Sequence, residues 1–432
     1  MRTDSEKAKT LSARRLAVAG ASVALVFLVY CRLTFRSLAG FMAALDHCPD
    51  TFCDFGRHYL PMARQVFDGT GPVEGFFYSL FFALLLVPLT RLSDGGALVT
   101  WGVLQALLAA ALLAVPLTRA RRPSFAVAWL YIALFFSSHA VLHNFKWGQV
   151  SVLITLCVLA ALALWQRGHS VAAGFLLALA TSIKLYPAWF VLVPLMRRDW
   201  RMLGSFAASC LILLVIVPVA AVGADPAFRF HVAVAEQLRS RMGLLVGDPN
   251  SQSLQGLIER LCYQPRSPWS THLPLVGPLR WGTLAVAVGA AWTSLRRAGD
   301  DATASFLILF CALPFVTPTS WPHYFVYLPA AFLYLLTELP RRPLQRSAVL
   351  VLLVAAALLS SIFCWQALGA AAFAPTYPRL PPGLLYAYWG VPFWANALTF
   401  LALLATLPAR ARLPEFPRVP WGARRRPEAA RR

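Results

Sequence analysis

Lys184 stands in "ALATSIKLYPAW", residues 178–189, among the most apolar stretches of the chain. An ammonium at the centre of a bilayer costs at least ~2.5 kcal/mol on insertion scales, so a lysine there marks a candidate site. Pro187, three residues on, cannot continue a helix. The other residues able to do chemistry gather in two polar segments. Nine of the eighteen acidic residues fall in 36–75 and 223–274: Asp46, Asp50, Asp54, Asp68, Glu74, Asp225, Glu236, Asp248 and Glu259. Three shorter segments are polar and aromatic: "HNFKWGQ" (143–149), "TPTSWPHYF" (317–325) and "APTYPRLPPG" (374–383). A carboxylate, a lysine, an arginine and a histidine held together suit one reaction type. The carboxylate takes a proton from an attacking hydroxyl, and the cations hold the charge growing on a departing phosphate. Taken singly each is weak evidence: a loop Asp is usually solvated, and a membrane-edge His usually only a hydrogen-bonder.

Composition says what must position them. The chain has 432 residues, 59% hydrophobic and 13% charged, with a mean hydropathy of +0.62. Soluble chains are roughly a quarter charged, so the sequence reads as an all-α polytopic membrane protein. Its net charge of +21 lies in short clusters between apolar runs and in the tail 409–432. That is the pattern of cytoplasmic loops facing anionic lipid rather than of a nucleic-acid binder. The eight cysteines form no CxxC or Cys/His box, and no acidic DxD-type pair stands out, so no metal site is assigned, no cofactor is expected and metal dependence stays open. Five cysteines (Cys31, Cys157, Cys210, Cys311, Cys364) sit in or beside apolar runs, as small hydrophobes do. Cys48 and Cys53 share a polar loop, where a disulfide and two free thiols are both open. The charged N-terminus runs into an apolar stretch without a small-residue cleavage site, and reads as an uncleaved first span.

A span needs about 20 apolar residues. Candidates are 16–35, 97–118, 124–142, 150–166, 203–222, 275–295, 303–318, 322–338, 346–368 and 386–408. Seven basic clusters orient them: Arg14-Arg15, Arg119/Arg121/Arg122, Arg167, Arg197/Arg198/Arg201, Arg296-Arg297, Arg341/Arg342/Arg346 and the tail, all expected to be cytoplasmic. Two stretches must then depart from simple crossing. The run 76–92 is expected to be a re-entrant or interfacial helix on the outer side. The stretch 170–196 must rise and return, breaking at "IKLYP", with Lys184 at the tip facing a cavity. The competing view of Lys184 is a side chain snorkelling to an interface. The expected organisation is one integral-membrane domain over 1–408 with about twelve transmembrane helices. Its two long extracytoplasmic loops are 36–96 and 223–274, and 409–432 is a cytoplasmic tail.

Five pieces in order then resemble glycosyltransferase family 87: "DFGRHYLPMARQVFDGTG", "KWGQVSVLITL", "GFLLALATSIKLYPAWFVLVPLMRRDWR", "NSQSLQGLIERL" and "TPTSWPHYFVYLPA". Pro322 stands where that family usually has an acidic or polar residue, and 339–432 matches only in hydropathy. The resemblance implies the C-class (GT-C) glycosyltransferase fold and an inverting transfer of a hexose, foremost mannose. The donor would be a polyprenyl-phosphate sugar, and the acceptor a lipid- or glycan-linked hydroxyl on the extracytoplasmic side of the cell membrane. It implies Asp54 as general base and Lys184, Arg260 and His323 at the donor phosphate. Gln149 and Asn250 would bond sugar hydroxyls, and Tyr59 and Trp321 would stack on sugar or isoprenoid. The competing class is a secondary transporter or flippase, since a broken helix with a charged tip is also transporter architecture. Only one such break is present, and the long loops fall on one side.

Overall fold

The computed structural model describes residues 13–48, 50–120, 123–262, 273–297, 301–340, 342–364 and 381–407. The tail 409–432, Arg121, Arg122, Arg341 and most of 374–383 lie outside the described residues. Apart from one isolated bridge between Ser138 and Ser361, the regular structure described is helical. That is how a chain in lipid satisfies its own backbone groups.

The first half runs α1 (Ala13–Phe35), α2 (Leu38–Leu45), a π-helical turn (Phe55–Tyr59) flowing into α3 (Leu60–Arg64), and α4 (Leu80–Leu86). Next come α5 (Asp94–Arg119), α6 (Phe125–Phe136), α7 (His139–Trp147), α8 (Ser151–Trp165) and α9 (Ser170–Ile183). After a break come α10 (Leu192–Arg197), α11 (Trp200–Leu211) and α12 (Val217–Val222), the last two joined through a π turn. The remainder is α13 (Ala224–Gly247), α14 (Leu254–Cys262), α15 (Leu273–Arg297), α16 (Thr303–Val316), α17 (Leu328–Thr337), α18 (Pro343–Ser360), α19 (Pro382–Tyr388) and α20 (Val391–Thr406).

α16 is the centre. Every residue from Ala304 to Pro314 is buried, as a helix apolar all round should be. Phe306 and Phe310 meet Phe190 at 5.4 and 4.3 Å between ring centroids, and Phe310 stacks on Tyr327 at 4.6 Å. Tyr327 donates to Asn396 Oδ1 (2.6 Å), and Asn396 donates to the Cys311 carbonyl (2.8 Å), so these two polar side chains of the core are paired. α9 crosses α11 closely because Gly174 has no side chain. A Cβ there would lie 2.5 Å from the Met202 carbonyl oxygen.

Four described helices are long and apolar enough to cross a membrane: Ala17–Phe35, Asp94–Arg119, Trp200–Val222 and Pro343–Ser360. A fifth arises if the pair α19–α20, bent by 53°, is one span. The chain is a multi-pass membrane protein. Trp200–Val222 is buried over only 6% of its apolar window, so its surface faces lipid rather than protein. Several stretches expected as spans hold short helices: α6, α8 and α16 have 12, 15 and 14 residues. The stretch 124–142 breaks at Ser137 and Ser138 into α6 and α7. The two expected loops are themselves largely helical, 223–274 being mostly α13 and α14. The run 76–92 gives α4 and a 3₁₀ continuation (Val87–Arg91) at Pro88, an apolar run shorter than a span.

The stretch 170–196 does go out and come back. Ser170 Oγ and Trp165 Nε1 both donate to Asp199, at 2.6 and 2.7 Å, so its two ends meet. Arg197 donates to the Leu295 carbonyl (3.0 Å), and Gln166 to Asp301 (3.1 Å) beside a cavity that Arg119 and Glu338 also line. Four of the basic clusters therefore share one end of the molecule. α9 rises from there by about 21 Å before it stops at Ile183.

Candidate active site

At the other end of α9, Lys184 is extended (φ −145°, ψ 132°) and Tyr186–Val191 continues as a 3₁₀ turn with Pro187 in its first positions. Lys184 Nζ donates to Tyr78 Oη (3.4 Å) and lies 4.4 Å above the Tyr324 ring and 4.9 Å from that of Tyr78. Two aromatic faces hold the ammonium without neutralising it. No carboxylate lies within ion-pair distance of it among the described residues.

The carboxylate opposite is set by a clamp. Cys48 and Cys53 form a disulfide, closing the loop between Asp46 and Asp54. Phe52 donates its N–H to the Lys146 carbonyl (2.9 Å) from a left-handed conformation (φ 58°). α7 ends on Gly148 (φ 66°), where a Cβ would come 2.9 Å from Phe52 Cβ, so only glycine lets the loop lie against it. Trp101 Nε1 donates to the Gly148 carbonyl (3.0 Å) and Gln105 Nε2 to that of Gln149 (2.9 Å). Phe55 stacks on Trp101 at 4.7 Å. Gln149 is thereby fixed. It donates to Asp54 Oδ2 and accepts from Tyr78 (2.9 Å) and Tyr59 (3.1 Å). The π turn Phe55–Tyr59 follows Asp54 directly, a wide turn of the sort found at functional sites. His58 Nε2 stands 3.9 Å from Asp54 Oδ1, its Nδ1 bound to the Glu74 carbonyl at 2.8 Å.

Burial pushes the Asp54 carboxyl up to about 7, outweighing the opposing pull of Lys184 and of the Gln149 hydrogen bond. Its side chain keeps 20% exposure, so a substrate hydroxyl can reach it. A carboxylate poised near neutrality, across from a cation with spare donors, can accept a proton while the cation receives an anionic leaving group.

A second cluster adjoins the first. Asp46 accepts from His143 Nε2, Trp147 Nε1 and Asn250 Nδ2, each at 3.0 Å, and from the His47 N–H at 2.6 Å. Burial alone would raise this carboxyl, but the hydrogen bonds of His143 and His47 hold it far below the usual range. His143 Nδ1 meets His323 Nδ1 at 3.3 Å. The "NSQS" loop is pinned to both neighbours: Ser253 Oγ donates to the Pro318 carbonyl (2.7 Å) and Gln252 Nε2 to that of Ala387 (2.7 Å).

Of the expected site residues, Asp54, Gln149, Tyr59 and Lys184 thus share one network, while Asn250 and His323 belong to the adjoining one. Tyr59 departs from expectation: it is 0% exposed, wedged against Tyr78, Phe82 and Trp101, so its ring has no face to offer a sugar. Arg260 shares no hydrogen-bond partner with Lys184. Its Nε and Nη1 donate to the carbonyls of Tyr388 (2.9 Å) and Asp248 (3.0 Å), leaving Nη2 buried without a partner. Trp321 is half-buried at the start of the turn carrying His323. Sequence reading missed Tyr78, Tyr324, His58, His143 and the role of Asp46. The His139, His143 and Trp147 spacing, four residues apart on one helical face, was the available signal. Among the described residues, no group of three or more His, Cys, Asp or Glu could hold a metal ion.

Comparison with known proteins gives two kinds of match. The sequence profile of glycosyltransferase family 87 matches residues 76–318, which include Gln149, Lys184, Asn250 and Arg260 but neither Asp54 nor His323. Two curated relatives come from Mycolicibacterium smegmatis. A polyprenol-phosphate-mannose-dependent alpha-(1-2)-phosphatidylinositol pentamannoside mannosyltransferase is 29% identical over 271 residues, 60% of this chain and 61% of that protein. A polyprenol-phosphate-mannose-dependent alpha-(1-2)-phosphatidylinositol mannoside mannosyltransferase is 30% identical over 194 residues, 43% of this chain and 41% of that protein. The chain thus spans about three fifths and two fifths of the lengths of these relatives. No solved structure matches.

Proposed function

The chain belongs to glycosyltransferase family 87, and from that premise we propose that it transfers a mannosyl unit from a polyprenyl-phosphate donor to a hydroxyl of a glycolipid or glycan. The observation that carries the proposal is one hydrogen-bonded network that joins Asp54, through Gln149 and Tyr78, to Lys184 at a broken helix tip. The acceptor hydroxyl has a high pKa and attacks the anomeric carbon only as its proton leaves. Asp54 takes that proton. Lys184 faces the oxygen that becomes the free phosphate, where a positive charge is worth most as the bond breaks. One base and no covalent carboxylate nucleophile give single displacement with inversion, by analogy with inverting glycosidases. Arg260 and His323 flank this centre, and Asn250 and Trp321 line its approach. The donor's apolar tail lies along the membrane-facing residues of 76–92. The positive-inside rule, with the basic clusters at the opposite end taken as cytoplasmic, supports a reaction on the extracytoplasmic side of the cell membrane. The fold is then of the C class, formed by 1–408.

The experiment is transfer of labelled mannose from a synthetic short-chain polyprenyl-phosphate mannose, offered with phosphatidylinositol mannosides because both relatives are named for them. The expected product has the anomeric configuration opposite to the donor's, read by NMR. Retention of configuration, or transfer only from a nucleotide sugar, would contradict the proposal.

A further inference from the structure

Beside Asp54 runs a row of polar groups that the transfer step leaves unused. The Asp46 side chain is fully enclosed, at 0% exposure, and faces only donors. A carboxylate in that setting is ionised and accepts only, so His143 Nε2 carries the hydrogen it shares with Asp46. In a neutral imidazole this leaves His143 Nδ1 bare. That atom faces His323 Nδ1 at 3.3 Å, the two rings lying 23° apart. Two bare nitrogens would repel, so His323 supplies the hydrogen of this bond from its own Nδ1. Its Nε2 is then bare as well, and it is buried with no protein partner. His323 itself is only 3% exposed.

We propose that Asp46 and His143 are positioning residues that lock His323 in its Nδ1–H tautomer, presenting Nε2 as an acceptor for a hydroxyl of the bound sugar or incoming acceptor. A bare nitrogen repels a phosphate oxyanion, so the row moves His323 from the phosphate to a hydroxyl and leaves Lys184 as the phosphate's partner. The identity of that hydroxyl rests on the proposed transfer reaction; the tautomer does not. Lys184 and Tyr324, which border His323 on its other side, offer Nε2 no hydrogen bond. An unpartnered buried acceptor of this kind is costly, and a substrate hydroxyl would satisfy it.

The test uses the full chain in lipid nanodiscs with ¹⁵N-labelled histidine, the His323 signals being assigned by their loss in His323→Gln. The expected spectrum shows neutral His323 as the Nδ1–H tautomer. In His143→Phe it should move toward the Nε2–H form. The kcat for mannosyl transfer should fall tenfold to a hundredfold there, roughly the scale of losing a histidine's orienting partner at a metal site, with KM for the donor little changed. A wild-type His323 carrying its hydrogen on Nε2 would overturn the row even if His143→Phe fails to fold. Unchanged kcat in a folded His143→Phe would overturn it as well. An Nδ1–H signal in a protein that transfers no mannose would instead sink the proposed reaction and leave the row standing.

Discussion

Asp54 and Lys184 are each placed by neighbours rather than by each other. Gln149 orients the carboxylate, and the rings of Tyr78 and Tyr324 hold the ammonium. Because burial raises the Asp54 carboxyl to about 7, its base form is lost as the pH falls through that value. Turnover at saturating donor should therefore drop about tenfold per pH unit below roughly 7, rather than below the ordinary carboxylate range near 4. A pH–rate profile with its acid limb near 4 would remove Asp54 from the base role or its burial from the account. Lys184→Met should slow transfer about a hundredfold, the scale of losing one charge-stabilising donor, while leaving thermal unfolding in detergent little changed. Both residues were legible in the sequence, one by its misplaced charge and the other by the motif around it. Tyr78 was not, because a tyrosine in an apolar run looks like interfacial filler until 3D contact brings it to Gln149. The contacts of Arg260 were not legible either: a basic residue in a polar segment carries no sign of which carbonyls it will cap.

At the scale of elements, the site is a junction of ends: the N-terminal side of the π turn, the C-terminus of α7, the break after α9 and the turn before α17. Such junctions depend on a few backbone positions. Gly148→Ala would force a side chain into a left-handed residue and against Phe52, costing on the order of 1–3 kcal/mol. It should lower the unfolding midpoint and slow transfer together. Gly204→Ala, in open space on a helix, should do neither. A Gly148→Ala protein with wild-type midpoint and rate would show that the α7 end does not position Gln149. The break at "IKLYP" could be read from Pro187 and the basic residues at both ends of the stretch. Breaks such as Ser137–Ser138 could not, because serine and small residues are tolerated inside membrane helices and only packing decides where such a helix stops.

Across the whole molecule, the candidate site and four of the basic clusters sit at opposite ends. Arg119, Gln166, Asp301 and Glu338 border one cavity, far along α9 from Lys184. Hydropathy showed a membrane protein but not where each helix stops. α8 and α16 are shorter than a full span because they are packed within protein, where neighbours rather than lipid cover their ends. The orientation is open to labelling. With the free cysteines replaced, Leu244→Cys on exposed α13 should react with an impermeant maleimide in intact cells. Arg198→Cys, at the basic end, should react only after permeabilisation. The reverse pattern would invert the assignment of the extracytoplasmic side.

The most direct measurement compares Asp54→Asn with the wild type, using labelled short-chain polyprenyl-phosphate mannose both as ligand and as donor. The substitution keeps the shape and the neighbourhood of Gln149 while removing the proton acceptor. The variant should bind the donor with affinity close to that of the wild type and transfer its sugar roughly 10²–10⁴ times more slowly. Transfer at the wild-type rate by Asp54→Asn would contradict the account at its centre.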